Sequence, residues 1–175
     1  TKLTAPDDQE FSKRQKNDAK EGVIKTTIIR PSCCISFAGN VDFAEDALKA
    51  ITPDSATGEI IEILRSQHEL AGQRTDFILC VSEWEKRIYE FKNGQVTQVT
   101  AAWIGSQQAF NRFQSCMLTE GGANSQGSFI SMSDASGGNL FHKMTQAIDA
   151  VIQDEAIPEV AGFKIRVCFN GQRFK

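Results

Sequence analysis

Residues 23–40 constrain the fold of this chain more than any other stretch. Val23 to Ile29 and Cys33 to Ala38 are β-favouring runs, and Arg30-Pro31-Ser32 between them carries turn chemistry, which predicts a β-hairpin. Gly39 ends the second run. Asn40 and Asp42 then supply N-cap chemistry, while Val41, Ala44, Ala47, Leu48 and Ile51 recur at helical spacing, so a helix must follow the hairpin directly.

The rest of the chain extends this mixture of strands and helices. Thr52-Pro53-Asp54-Ser55 interrupts the first helix, and Ile60, Ile61, Leu64, His68 and Ala71 mark a second. Asp76 to Ser82 holds a continuous apolar run of strand length, which predicts burial on both faces. Arg87 to Phe91 and Gln95 to Trp103 read as further strands joined at Lys92-Asn93-Gly94, because Asn-Gly readily adopts positive φ. Gln107 to Met117 carries Ala109, Phe110 and Phe113 on a helical face. Thr119 to Gly138, rich in Gly, Ser and Asn, reads as an irregular insertion. A long amphipathic helix follows, with Leu140, Met144, Ala147, Ile148, Val151 and Ile152 on its apolar stripe. Phe163 to Phe169 alternates as a last strand.

At 175 residues, with 41% hydrophobic residues and twelve Phe, the chain reads as one domain, 1–175, with a polar loop over 1–22 and a substantial core. A net charge of −3 provides no basic field, so nucleic acid and anionic membrane are not expected partners. The cluster Lys13-Arg14-Gln15-Lys16 is offset by neighbouring acids and reads as a solvated loop. Cys33, Cys34, Cys80, Cys116 and Cys168 are odd in number, lack Cys-x-x-Cys spacing and sit mostly in apolar runs. That is the usage of reduced cysteines, and it predicts a cytoplasmic protein. With only His68 and His142 and no Cys/His cluster, neither a metal site nor a cofactor is expected. No apolar run reaches membrane-span length, and the first residues are acidic and polar rather than signal-like.

Two motifs carry the functional reading. Lys25 stands fourteen positions ahead of Gly39, which ends the run Cys33-Cys34-Ile35-Ser36-Phe37-Ala38, and Ala101-Ala102-Trp103-Ile104-Gly105-Ser106 ends a later strand on Gly-Ser before another helix. Together they resemble the N-terminal-nucleophile hydrolases of the proteasome β-subunit type, over roughly Val23 to Phe169. The resemblance implies an α+β fold, a four-layer αββα sandwich of two antiparallel sheets between helix pairs, here lacking its first N-terminal strands. It implies a threonine-type peptidase that cuts peptide or unfolded protein and assembles as a homo-oligomeric ring. By the same resemblance Lys25 is the catalytic lysine, Gly39 the oxyanion glycine, and Ser106 a serine near the nucleophile's amine. Asp154, ahead of Val160-Ala161-Gly162-Phe163, is the corresponding acid, and substrate would lie extended near Thr4 and Val41.

The chain departs from the pattern at its start. Thr1-Lys2-Leu3-Thr4-Ala5-Pro6-Asp7-Asp8 has neither alternation nor apolar length, so it does not read as the buried strand that presents a residue-one nucleophile. Thr1 to Thr4 instead resembles the segment just after that strand pair, which implies a nucleophile upstream of Thr1. The residues also admit plainer roles: Lys25 exposed beside a hairpin, Gly39 in a tight turn, Ser106 as an N-cap, Asp154 as a solvated residue past a helix end. Three classes stay open at this point. They are a proteasome-like peptidase, a non-catalytic ring subunit of the same fold, and an unrelated α/β binding module.

Overall fold

A computed structural model describes residues 25–118, 137–157 and 167–175. These fall into two compact units, 25–105 with 167–175 in the first and 106–118 with 137–157 in the second. The first unit is a five-stranded antiparallel sheet with two helices, and the chain as a whole is mixed α+β.

The sheet runs in chain order: β1 (Thr26–Arg30), β2 (Cys33–Gly39), β3 (Thr75–Ser82), β4 (Lys86–Lys92) and β5 (Gln95–Val99). Between β2 and β3 the chain leaves the sheet to form α1 (Val41–Ala50) and α2 (Thr57–Leu70), then returns antiparallel beside β2. The hairpin and its directly following helix are therefore present. Asn40 caps α1 by accepting the Asp42 N–H on its side chain at 2.9 Å. At the β4–β5 turn Asn93 and Gly94 both take positive φ, +53° and +71°, the conformation a two-residue hairpin turn requires and Asn-Gly tolerates.

Pairing register sorts the strand residues onto two faces. Cys33, Ile35 and Phe37 lie opposite Val81, Leu79 and Phe77, and Phe77 lies opposite Phe91. These side chains form a buried core with Val41, Ala44, Ala47, Ile51, Ile60 and Leu64 from the two helices. The Phe77 and Phe91 rings meet edge to face, centroids 6.4 Å apart. On the face turned away from α1 and α2, burial is incomplete: Ile78, Cys80 and Ser82 are half-buried, and burial in β3 alternates strictly. The apolar run of β3 is thus not matched by equal burial on both sides. Its inward residues face two helices, while its outward row is shared with Ser36, Glu90 and other polar side chains.

A second difference concerns the strand expected to reach Trp103, which ends at Val99. Beyond that point side chains of β4 replace the ladder, because Glu90 Oε1 accepts the Trp103 N–H (3.3 Å) and Lys92 Nζ donates to the Trp103 carbonyl (3.1 Å). The segment is therefore held alongside the sheet without belonging to it.

The second unit holds α3 (Gln107–Leu118) and α4 (Gly137–Ile152), which pack together. Gly137 and Gly138, placed by sequence in the insertion, are the first residues of α4, since the chain past them is strongly amphipathic and the helix extends back through both glycines. The rest of that insertion, 119–136, lies outside the described residues, as does most of the expected last strand. Of that strand Phe169 forms an isolated bridge with Phe174. Among the described residues no helix is long and apolar enough to cross a membrane.

Candidate functional site

Lys25 and Gly39 come together at one end of the β1–β2 pair. The Lys25 carbonyl accepts the Phe37 N–H at 3.0 Å, which extends the β1–β2 register one residue past Thr26 and sets Lys25 opposite Phe37. Gly39 follows Phe37 by two residues. One strand spacing of about 4.8 Å and two residues of about 3.4 Å each therefore separate the two backbones. Lys25 is exposed over its surface as a whole, yet its ammonium is desolvated, and this holds its pKa below the ordinary lysine value.

The local structure explains why position 39 is glycine. Its φ is +105°, and a Cβ there would collide with the Arg74 carbonyl oxygen of the neighbouring strand's approach. The next residue, Asn40, donates its N–H to that same Arg74 oxygen at 3.3 Å, which marks position 40 as hydrogen-bonded toward β3. Gly105 also reaches this end of β2, with Ala38 Cβ 3.5 Å from the position its own Cβ would occupy. Of the two glycine motifs singled out by sequence, both glycines thus meet at the C-terminal end of one strand.

Other expected site residues occupy local roles. Val41 is the first residue of α1 and is 2% exposed, part of the core under the sheet. Ser106 belongs to the second unit, where its Oγ accepts the Ala109 N–H (3.2 Å) and its carbonyl accepts the Phe110 N–H (3.1 Å), the bonding of an N-cap for α3. Asp154, past the end of α4, holds Arg112 Nε at 3.0 Å and accepts the Ala156 N–H at 3.0 Å. Thr4 lies outside the described residues, as does Thr1.

Sequence reading missed polar contacts at the two ends of the sheet. Arg30, at the end of β1, donates to the Pro53 and Ser55 carbonyls (3.2 and 2.6 Å), to Thr57 Oγ1 (3.3 Å) and to Glu83 Oε1 (2.6 Å). One guanidinium therefore joins β1, the α1–α2 connection and the β3–β4 turn. His68, expected simply to pack, is 1% exposed and bonded at both ring nitrogens: Nδ1 to the Thr75 carbonyl (2.7 Å) and Nε2 to the Gly94 N–H (2.9 Å). No motif announces either residue. Arg30 beside a Pro-Ser turn and a histidine on an apolar helical stripe are the only signals available.

Asp76, Glu90 and Lys92 gather where the Trp103 segment crosses β4. Burial raises the Asp76 carboxyl above its usual pKa. Among the described residues no three His, Cys, Asp or Glu side chains form a cluster able to hold a metal ion. Comparison with models of known protein families found no match, and comparison with curated proteins found none either.

Proposed function

We propose that this chain is a proteasome-like N-terminal-nucleophile peptidase subunit, a cytoplasmic protein built on a four-layer αββα sandwich. In this reading the five-stranded sheet with α1 and α2 is one half of the sandwich. The observation that carries the reading is the placement of Lys25 and Gly39 at one end of the same two strands, the lysine ammonium desolvated and the glycine at positive φ.

The chemistry follows from those two groups. A hydroxyl from a residue preceding Lys25 attacks a peptide carbonyl. Lys25, whose lowered pKa leaves it more readily as the neutral amine than an ordinary lysine, accepts the proton of the attacking hydroxyl and returns it to the leaving amine as the C–N bond breaks. The developing oxyanion accepts the Gly39 N–H, a class of contact worth about 2.7–4 kcal/mol to the transition state. Substrate is peptide or unfolded protein, and the subunits close into a homo-oligomeric ring.

The test uses protein expressed from its complete coding sequence. Wild type is expected to hydrolyse fluorogenic peptides and to form a covalent adduct with a peptide vinyl sulfone. Lys25→Ala should lower hydrolysis about 10²–10⁴-fold, the range of a lost acid–base group, with an unchanged melting temperature because Lys25 is exposed. Absence of both hydrolysis and adduct in the wild type would refute the peptidase.

A further inference from the structure

The outer face of the sheet carries a pair of thiols that the hydrolase reading does not use. Cys34 of β2 and Cys80 of β3 are directly opposite in the antiparallel register. They lie in the middle of a row running Ile28, Cys34, Cys80, Ile88, Val99 across the five strands. Cys34 is 5% exposed and Cys80 is half-buried, so Cys80 is the more accessible of the two. The Ser82 N–H donates to the Ser32 carbonyl at 2.8 Å, and strand alternation makes Cys34 and Cys80, two residues further along each strand, a hydrogen-bonded pair as well. Such pairs hold their Cα atoms about 5.5 Å apart, inside the range a disulfide spans.

The two thiols also act on each other's ionisation. Cys34 S–H donates to Cys80 Sγ, which raises the Cys34 pKa and lowers that of Cys80. Cys33, though adjacent in sequence, points to the opposite face, is fully buried, and has its thiol pushed up to about 11 mainly by burial. Pleat alternation therefore selects Cys34 over Cys33 as the partner of Cys80.

We propose that Cys34 and Cys80 form a reversible dithiol–disulfide site that reacts with small disulfides of the glutathione class, Cys80 attacking and Cys34 resolving. The Cys80 thiolate attacks one sulfur of the small disulfide, forming a mixed disulfide and releasing one thiolate. Cys34, losing its proton, attacks Cys80 Sγ and expels the second small thiolate. Two protein thiols are oxidised to one disulfide, one small disulfide is reduced to two thiols, and the two cysteine protons end on them. A hydrogen-bonded strand pair is wider than a disulfide prefers between its Cβ atoms, so the bond formed is strained and readily reduced.

Intact protein is incubated with oxidised glutathione under native conditions, quenched with iodoacetamide and analysed by mass spectrometry. The expected result is loss of two free thiols, from five to three, with Cys34 and Cys80 peptides cross-linked and the loss reversed by dithiothreitol. Cys34→Ser is expected to retain a glutathione adduct on Cys80, and Cys80→Ser to leave Cys34 unmodified. Five free thiols after treatment, a lasting glutathione adduct on Cys80 of the wild type, or a cross-link to any other cysteine would overturn the proposal. Because the wild-type protein alone decides these outcomes, a poorly folded variant does not obscure the answer, and none of them depends on peptidase activity.

Discussion

His68 shows how a single buried polar side chain can settle several local questions. The Gly94 N–H is a donor only, so Nε2 must accept, and Nδ1 then carries the proton that reaches the Thr75 carbonyl. The ring is thereby fixed as one neutral tautomer joining α2, the start of β3 and the β4–β5 turn. Long-range proton–nitrogen NMR should find Nε2 unprotonated, and His68→Ala should destabilise the fold by about 2–4 kcal/mol in urea titration, from an orphaned Thr75 carbonyl plus a cavity. A loss below about 0.5 kcal/mol would mean that the ring is not a structural link. Glu83 gives a prediction in pH. The Arg30 hydrogen bond lowers its pKa below the usual 4.5, so the folded state binds this proton less tightly than the unfolded state does. Its stabilising contribution is complete above the unfolded pKa and is lost as pH falls through the folded value. The unfolding midpoint of wild type should exceed that of Glu83→Gln at pH 7, and the two should converge as pH falls through the folded-state value of Glu83. Asp76, with its raised pKa, works in the opposite sense and is common to both proteins, so it cancels in the comparison.

At the level of elements, what was legible in the sequence was what local chemistry alone decides. Pro31-Ser32 turned the first hairpin, Asn40 capped α1, and Asn93-Gly94 closed β4 on β5, each by a preference that needs no distant partner. Where the outcome depended on contacts far along the chain, the pattern misled. Gln95 to Trp103 alternates like one strand, yet Glu90 and Lys92 capture the Trp103 backbone and end pairing at Val99. The run in β3 is apolar throughout, yet two helices cover only one of its faces. The candidate residues divide in the same way: Lys25 and Gly39 could be placed near each other because both sit on one hairpin, whereas Arg30 escaped notice because its four acceptors come from two segments further along the chain. Ser106 illustrates a residue with a sufficient local reason to exist. As the N-cap of α3, its replacement by Ala should cost about 1 kcal/mol, and Ser106→Asp should retain most of that stability. The same pair separates capping from catalysis in a peptidase assay: a purely capping serine leaves Ser106→Asp active, while a serine that serves the nucleophile's amine does not.

For the whole molecule, the hydrolase reading makes a demand that the fold of one chain does not meet, namely assembly. A lone peptidase subunit of this type would expose its cutting site to any folded protein, whereas a closed ring limits access to extended or unfolded chains. Ring closure requires a heterologous contact, one patch on each subunit meeting a different patch on the next, with a rotation that returns to the start. The first unit does expose large apolar side chains, Trp84 at 95% on the β3–β4 turn and Leu70 at 65% at the end of α2. Aromatic anchors of this kind are enriched in protein–protein interfaces, although isolated apolar residues also occur on monomers. The decisive quantity is therefore mass rather than surface composition. Native mass spectrometry at micromolar concentration should show a single closed multiple of the subunit mass, unchanged by dilution over about tenfold, since a closed ring loses no subunit without breaking two contacts. Monomer alone at that concentration would remove the ring and with it the sheltered peptidase. An open series of masses growing with concentration would instead indicate a heterologous contact that fails to close. A ring without peptide hydrolysis would select the non-catalytic ring subunit, keeping Lys25 and Gly39 as features of the scaffold rather than of a working site.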